Sequence, residues 1–149
     1  MPSDSTEDLD ASRVQQVLFV CEHGAAKSVF AGSYFNALAE REGLNARAVA
    51  RGITPDENIV ERIQTEADAA GFPLCAARPV QLTRDDVTSA DVVVAFDLRS
   101  AELGTQGPHE AWDGLPSLKQ EFEPGRAAIM ARVEALVVEM KARAARGAG

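Results

Sequence analysis

The stretch from Val17 to Ser28, VLFVCEHGAAKS, decides how this chain is expected to fold. It begins with four apolar residues, a composition typical of a short strand that is buried on both faces of a sheet. A turn of small residues follows. The helical spacing of Ala31, Phe35 and Leu38 then predicts a helix, which Gly43 is placed to end. A buried strand that turns directly into a helix is typical of an α/β domain.

Strand and helix patterns continue to alternate along the rest of the chain. Apolar runs predict further strands at 46–50 and 91–96, and the helix between them is predicted to open at Pro55 and to end at Gly71. The last helix is predicted from an apolar stripe that contains Ile129, Val133, Leu136, Val137 and Met140. This order predicts an α/β fold with a parallel sheet, and such sheets bind ligands at the carboxyl ends of their strands.

The composition limits the class of function. The chain has 149 residues, enough for one domain, and its 15 Lys and Arg against 23 Asp and Glu give a net charge of -8. An acidic surface argues against binding along a nucleic-acid backbone, which needs many basic side chains. Two cysteines, Cys21 and Cys75, are too few for a disulfide scaffold or a four-thiolate zinc site.

The ends of the sequence are polar. We expect residues 1–13 to form a flexible acidic tail, residues 14–145 a single domain and residues 146–149 a frayed end. The sequence contains neither an apolar run of membrane-spanning length nor a basic leader followed by an apolar stretch. We therefore expect a cytoplasmic protein that does not associate with a membrane.

The turn at 21–28 has the composition of an oxyanion-binding loop. It precedes a helix start, where backbone N–H groups are unpaired and the helix dipole is positive. Gly24 can adopt the positive φ that a tight loop needs, and Lys27 adds a full positive charge. The same field stabilises a thiolate at Cys21, to which Ser28 can hydrogen-bond. A thiolate beside a tetrahedral oxyanion is arranged for in-line attack on phosphorus or arsenic.

Two other interpretations of this loop are weaker. Lys27 and Ser28 match the end of the nucleotide-binding pattern G-x-x-x-x-G-K-[ST], but Cys21 and Ala26 stand where that pattern requires glycine. Cys21 and His23 offer two metal ligands without an evident third. We therefore expect no bound metal, and we interpret His23 as a residue that orients the loop.

The order of these motifs resembles the low-molecular-weight protein tyrosine phosphatase superfamily, which includes arsenate reductases. The family's loop follows an apolar strand and consists of Cys, five residues, Arg and Ser; here it is Cys21, EHGAA, Lys27 and Ser28. The Cys-x-His start is most similar to the arsenate reductase branch. The resemblance covers about residues 14–145 and continues in ARAVARGITPD at 46–56, GFPLCAARPVQLT at 71–83, SADVVVAFD at 89–97 and EAWDGLPS at 110–117.

The resemblance implies a three-layer, doubly wound α/β sandwich with a four-stranded parallel sheet. It implies a phosphatase without a cofactor, in which Cys21 attacks phosphorus and forms a phosphocysteine. Backbone N–H groups of the loop and the ammonium of Lys27 would bind the oxyanion. The loop residues are Glu22, His23, Gly24, Ala25, Ala26, Lys27 and Ser28. The expected partner is a phosphate ester or another oxyanion, including one carried by a phosphoprotein, and not a nucleic acid.

The chain departs from the family's pattern at three positions. Lys27 replaces the arginine, and a flexible point charge clamps a transition state less well than a planar guanidinium. Gly24 replaces an asparagine, which is a mild change. The Asp-Pro pair that carries the general acid is missing, and Ser117 and Leu118 stand at the matching place. Asp113, the nearest carboxyl group, becomes the candidate acid, whose loss would slow catalysis roughly 10²- to 10⁴-fold.

Three functions therefore stand as hypotheses. The first is a phosphatase that acts on phosphotyrosine-like or aryl phosphates. The second is an arsenate reductase that uses an external thiol, because no cysteine follows Asp97 and we interpret Cys75 as a packing residue. The third is a non-catalytic relative that binds oxyanions or phosphoproteins. We further expect Asp97 to fix a strand end, Trp112 to pack or to line the pocket, and Glu22 to oppose the thiolate unless its side chain points away.

Overall fold

The computed structural model describes residues 13–104 and 108–148. Within these residues, four strands form one parallel sheet in the spatial order β2-β1-β3-β4. The strands are β1 (Gln15–Cys21), β2 (Ala46–Gly52), β3 (Val92–Ala95) and β4 (Glu110–Ala111). The helices are α1 (Lys27–Glu42), α2 (Glu61–Ala70), α3 (Arg84–Ser89), α4 (Ser100–Leu103) and α5 (Phe122–Ala148). The α/β fold with a four-stranded parallel sheet is confirmed.

The central strand β1 explains why the fold has three layers. Its apolar residues alternate between two buried clusters, so that Val17 and Phe19 pack on one face of the sheet and Leu18 and Val20 on the other. The first cluster contains residues of α1, α2 and α5, and the second contains residues of α3 and α4. Helices therefore cover both faces, as in a doubly wound sandwich.

Two predicted helix ends are confirmed. Gly43 and Gly71 adopt left-handed φ values of 69° and 80°, and their N–H groups return to carbonyls of the preceding turn. The predicted start of α2 at Pro55 is wrong, since the helix begins at Glu61. In the segment before the helix, the N–H groups of Thr54, Asp56 and Val60 donate to carbonyl groups of the 21–28 turn. The sequence pattern did not locate α4 or the two-residue strand β4, because short segments carry little periodicity.

The described residues begin at Arg13 and end in the last helix. The predicted acidic tail lies outside the described residues except for Arg13, which forms a bidentate ion pair with Asp91 at 3.0 and 3.1 Å. The limits of the domain stay a prediction. Partial burial acts to raise the pKa of Asp91, but Arg13 and the Gln16 N–H outweigh it and hold that pKa below its ordinary value. At the other end α5 continues to Ala148, in a segment rich in alanine and arginine, which favour helix. None of the described helices is long and apolar enough to cross a membrane.

The edge strand β2 is shielded along its outer side. The side-chain amide of Asn36, from α1, accepts the Ala48 N–H at 2.7 Å and donates to the Ala48 carbonyl at 3.2 Å. Further along the same strand, the Gly52 N–H donates to Val80 and the Gly52 carbonyl accepts from Leu82, both at 2.9 Å. Backbone groups that an edge strand would otherwise leave open are thereby paired.

Replacing Asn36 with leucine is expected to lower the free energy of unfolding by about 1–3 kcal/mol, because both polar groups of Ala48 lose their partner. Urea unfolding followed by circular dichroism measures this change. Gln64→Ala removes an exposed amide whose partner is the exposed Asp68 on the same helix, and it should change stability by less than about 0.5 kcal/mol. Equal unfolding midpoints for Asn36→Leu and the wild type would contradict the role given to Asn36.

Candidate functional site

A cleft of about 300 Å³ opens where β1 and β3 end. This is the edge of the sheet at which a ligand site was expected. The residues that line the cleft are Cys21, Glu22, His23, Ala25, Ala26, Lys27, Phe96, Asp97 and Lys119. The predicted nucleophile and the predicted cation therefore share one cavity with most of the predicted loop.

Four carbonyl groups of the 21–28 turn are paired with residues 53–60, a segment that does not line the cleft. Those of Cys21, Glu22, His23 and Ala25 accept the N–H groups of Ile53, Thr54, Asp56 and Val60, at 2.8 to 3.2 Å. Within the described residues, the N–H groups of residues 22–28 donate to no backbone or side-chain acceptor. Successive N–H groups left unpaired at a helix start form a concave site that suits an oxyanion.

Two glycines let the two segments come this close. Gly24 has a φ of +61°, and a Cβ built on it would lie 2.9 Å from the Gly52 nitrogen. A Cβ on Gly52 would lie 2.7 Å from the Gly24 nitrogen. The positive φ expected for Gly24 is confirmed. The need for Gly52 was not predicted from sequence, because it arises from a contact between segments distant along the chain.

The thiol of Cys21 is hydrogen-bonded to a buried serine. Its Sγ lies 3.0 Å from Oγ of Ser28, and Ser28 is completely buried. The carboxylate of Glu22 accepts the Thr54 hydroxyl at 2.8 Å, so its charge is turned toward Thr54. The ring of His23 donates from Nδ1 to the Thr54 carbonyl at 3.2 Å, as expected of a residue that orients the loop.

Lys27 joins the loop to the neighbouring strand ends. Its Nζ donates to the Leu115 carbonyl at 3.1 Å and lies 3.4 Å from Oδ2 of Asp97. Asp97 itself has a φ of 58° and accepts the Gly114 N–H on Oδ1 at 2.8 Å. The lysine ammonium is thus anchored on two sides, and Asp97 fixes the end of β3 as expected.

Asp113 lies behind Asp97 and not in the lining of the cleft. Its Oδ1 accepts the Asp97 N–H at 2.9 Å. Asp97 does line the cleft, together with Glu22, although the sequence analysis expected Asp97 to fix a strand end. Trp112 is 3% exposed and packs against Phe19 and Phe96, with ring centroids 5.7 and 5.6 Å away, so it is a core residue.

Ser117, the residue at the place of the family's acid, caps a turn. Its Oγ accepts the N–H groups of Lys119 at 3.1 Å and Gln120 at 3.3 Å. The turn brings Lys119 to the cleft. Sequence reasoning missed this lysine, because an isolated lysine in a loop carries no signal of the cavity that it faces.

Cys75 packs against α1 and does not line the cleft. Its N–H donates to Oγ of Ser33 at 2.9 Å, and its sulfur occupies the space that a Cβ on Gly32 would need. Burial raises the pKa of the Cys75 thiol. Among residues 13–104 and 108–148, no three His, Cys, Asp or Glu side chains are grouped to hold a metal ion.

Comparison with known proteins identifies the family. The model for "Low molecular weight phosphotyrosine protein phosphatase" matches residues 16–111, which is more than half of the chain. The chain belongs to this family. Membership of this family supports an enzyme of the phosphatase and arsenate reductase type. No curated protein matches the chain.

The solved structures that are similar include both kinds of enzyme. A low molecular weight protein tyrosine phosphatase from Bacillus subtilis has a TM-score of 0.71 at 18% identity, covering 85% of this chain and 97% of its own. A thioredoxin-dependent arsenate reductase from Corynebacterium glutamicum has a TM-score of 0.69 at 20% identity, and the match covers 95% of this chain and 70% of the reductase. An arsenate reductase from Archaeoglobus fulgidus has a TM-score of 0.65 at 26% identity, and the match covers 81% of this chain and 98% of the reductase.

Proposed function

We propose that this chain is a cysteine-dependent phosphatase that hydrolyses aryl phosphates, including phosphotyrosine-like groups, through a phosphocysteine. The observation that carries the proposal is the position of the Cys21 sulfur, 3.0 Å from the Ser28 hydroxyl, in a cleft lined by a loop with unpaired N–H groups. Such a loop can hold the phosphoryl oxygens, and the buried hydroxyl can stabilise the thiolate. A nucleophilic thiol needs reducing surroundings, so we place the protein in the cytoplasm.

The reaction has two displacements at phosphorus. The Cys21 thiolate attacks, the S–P bond forms, and the P–O bond breaks with its electron pair leaving on the phenol oxygen. Water then attacks the phosphocysteine, which releases inorganic phosphate and restores the thiolate. The loop N–H groups bind the equatorial oxygens in both steps, and Lys27 keeps the loop aligned with Asp97.

Three carboxylates at or near the cleft support a preference for good leaving groups. Glu22 accepts the Thr54 hydroxyl. Asp97 lines the cleft but is ion-paired with Lys27, and Asp113 is occupied with the Asp97 backbone. We infer that Asp113 positions Asp97 and does not protonate the leaving group. Aryl oxygens leave more readily than alkyl oxygens, and an open cleft at the surface would admit a phosphorylated side chain of a protein.

Substitutions of Asp113 separate these two roles. Asparagine keeps the oxygen that accepts the Asp97 N–H, so Asp113→Asn should retain kcat for p-nitrophenyl and phenyl phosphate within about twofold. Alanine removes that partner, and Asp113→Ala should lower kcat/KM about two- to tenfold for both esters, given about 0.5–1.5 kcal/mol for one hydrogen bond. Steady-state kinetics measure both. If Asp113→Asn instead slowed phenyl phosphate by about 10²-fold or more, Asp113 would be the general acid.

The function itself is tested with the wild-type protein and p-nitrophenyl phosphate. We expect nitrophenolate release with an initial burst, and, after acid quenching, one phosphoryl group on the peptide that contains Cys21. Phosphate that raises the melting temperature without any turnover would leave the chain as an oxyanion binder and would refute the phosphatase.

Arsenate reduction is the second candidate. It is favoured by the 26% identity to the Archaeoglobus fulgidus structure, which is described as an arsenate reductase. Attack of Cys21 on arsenate would expel water and form an S–As bond. A small external thiol would then attack the Cys21 sulfur, releasing arsenite as arsenic is reduced, and a second thiol would free Cys21 as the disulfide forms. Arsenate-dependent oxidation of glutathione or mycothiol would support this function, and no oxidation with either would contradict it.

A further inference from the structure

The charges that line the cleft are unequally compensated. The carboxylate of Glu22 accepts the Thr54 hydroxyl, and the ammonium of Lys27 is anchored on Asp97 and the Leu115 carbonyl. The ammonium of Lys119 has no carboxylate within ion-pair distance and no hydrogen-bond acceptor in the described part of the chain. A cation free to meet a ligand therefore faces the same cavity as the Cys21 thiol.

The backbone holds Lys119 in this place. Leu118, beside it, is 3% exposed and packs in the main core, which fixes the turn from within. The Ser117 hydroxyl accepts the Lys119 N–H, and the Ser117 carbonyl accepts the Glu121 N–H at 2.8 Å. Gly125 permits the close packing, since a Cβ there would lie 2.7 Å from the Pro116 carbonyl oxygen. The lysine stem thus starts from an anchored turn while its exposed end can move.

The loop N–H groups and Lys119 have different tasks in this arrangement. The N–H groups surround the site next to the sulfur, where the phosphoryl oxygens would lie. A flexible ammonium at the cleft surface is placed to meet whatever the phosphoryl group is attached to. On a chain with a net charge of -8, such a local cation also offsets the general repulsion of an anionic ligand.

We propose that Lys119 selects phosphate monoesters that carry a second negative charge close to the phosphoryl group, such as a neighbouring carboxylate. The proposal rests on the proposed function in one respect, namely that the cleft receives phosphate esters. It goes beyond it by assigning a specificity-determining residue and a class of substrate.

The test uses two phosphonates that differ only in charge, 3-carboxyphenylphosphonate and 3-carbamoylphenylphosphonate. Neither is hydrolysed, so binding is measured without turnover, by calorimetry at low salt. The wild type is expected to bind the carboxylate about three- to tenfold more tightly, the range of a partly exposed charge-assisted contact. Lys119→Gln should reduce this ratio to about one, and Lys119→Glu should reverse it.

Lys141→Gln is the matched control, because it removes the same charge from α5. Lys141 pairs with Glu42 at 2.9 Å, and it is not among the residues that line the cleft. This variant should keep the wild-type ratio. Added salt should lower the ratio in the wild type and leave it unchanged in Lys119→Gln, since screening acts on the charge pair.

The proposal is overturned if the wild type shows no preference, if Lys119→Gln keeps the preference, or if neither phosphonate binds. Failure of the phosphatase function has a different signature. In that case p-nitrophenyl phosphate is not hydrolysed, while the two phosphonates still bind with the Lys119-dependent preference, which supports the selection by charge.

Discussion

Replacing Cys21 with serine is expected to lower kcat for p-nitrophenyl phosphate by roughly 10³-fold or more. A serine hydroxyl is a far weaker nucleophile than a thiolate at neutral pH, and the proposed reaction has no other group that attacks phosphorus. The proposed oxyanion loop should keep its shape, because its backbone bonds to residues 53–60 do not involve the sulfur. Steady-state kinetics give the loss, and the rise in melting temperature with phosphate shows whether binding persists.

Cys75→Ala is the control for this substitution. Its sulfur packs against α1 outside the cleft lining, so the change should lower stability modestly while kcat stays near that of the wild type. Equal activity of Cys21→Ser and wild type would exclude a phosphocysteine. Loss of activity in both cysteine variants would instead indicate that the two thiols act together.

Gly24→Ala is expected to abolish phosphate binding and to lower the free energy of unfolding by about 2–4 kcal/mol. The added Cβ is strained at a φ of +61° and also meets the Gly52 nitrogen at 2.9 Å, a backbone atom that cannot move aside cheaply. The loop must then separate from the end of β2, which misaligns the N–H groups. Urea unfolding and the phosphate-induced shift of the melting temperature measure the two effects.

Gly104→Ala isolates the cost of strain. Gly104 has a similar φ of +70°, but a Cβ there meets no atom of the described residues within 4 Å. This substitution should therefore cost only about 1 kcal/mol and leave phosphate binding intact. If Gly24→Ala proved no worse than Gly104→Ala, the close approach of Gly24 and Gly52 would be unnecessary for the site.

Local signals in the sequence were enough for the framework of the fold. Four apolar residues in β1 must be buried on both faces, and glycine is the residue that most easily ends a helix in the left-handed conformation, as at Gly43 and Gly71. Likewise, the strand-to-helix turn with Cys21 and Lys27 predicted a cleft at this edge of the sheet, because parallel strands place their carboxyl ends together.

The finer assignments depended on contacts that no local pattern encodes. Lys27 reaches a carbonyl 88 residues further along the chain, and its partner Asp97 is 70 residues away. Asp97 lines the cleft while Asp113 accepts the Asp97 N–H, an arrangement of two segments that lie 16 residues apart. The helix α2 begins later than predicted for the same reason, because N–H groups of the preceding segment donate to carbonyl groups of the 21–28 turn.

The shielding of β2 has a consequence for how this chain behaves before folding is complete. An edge strand with open N–H and C=O groups is a template on which another chain can add a strand, and short β-prone segments can stack further into fibrils. Asn36 reaches Ala48 only once α1 has docked beside β2, so the template stays exposed until then. Docking of α1 therefore both builds the core and removes the site from which aggregation would grow.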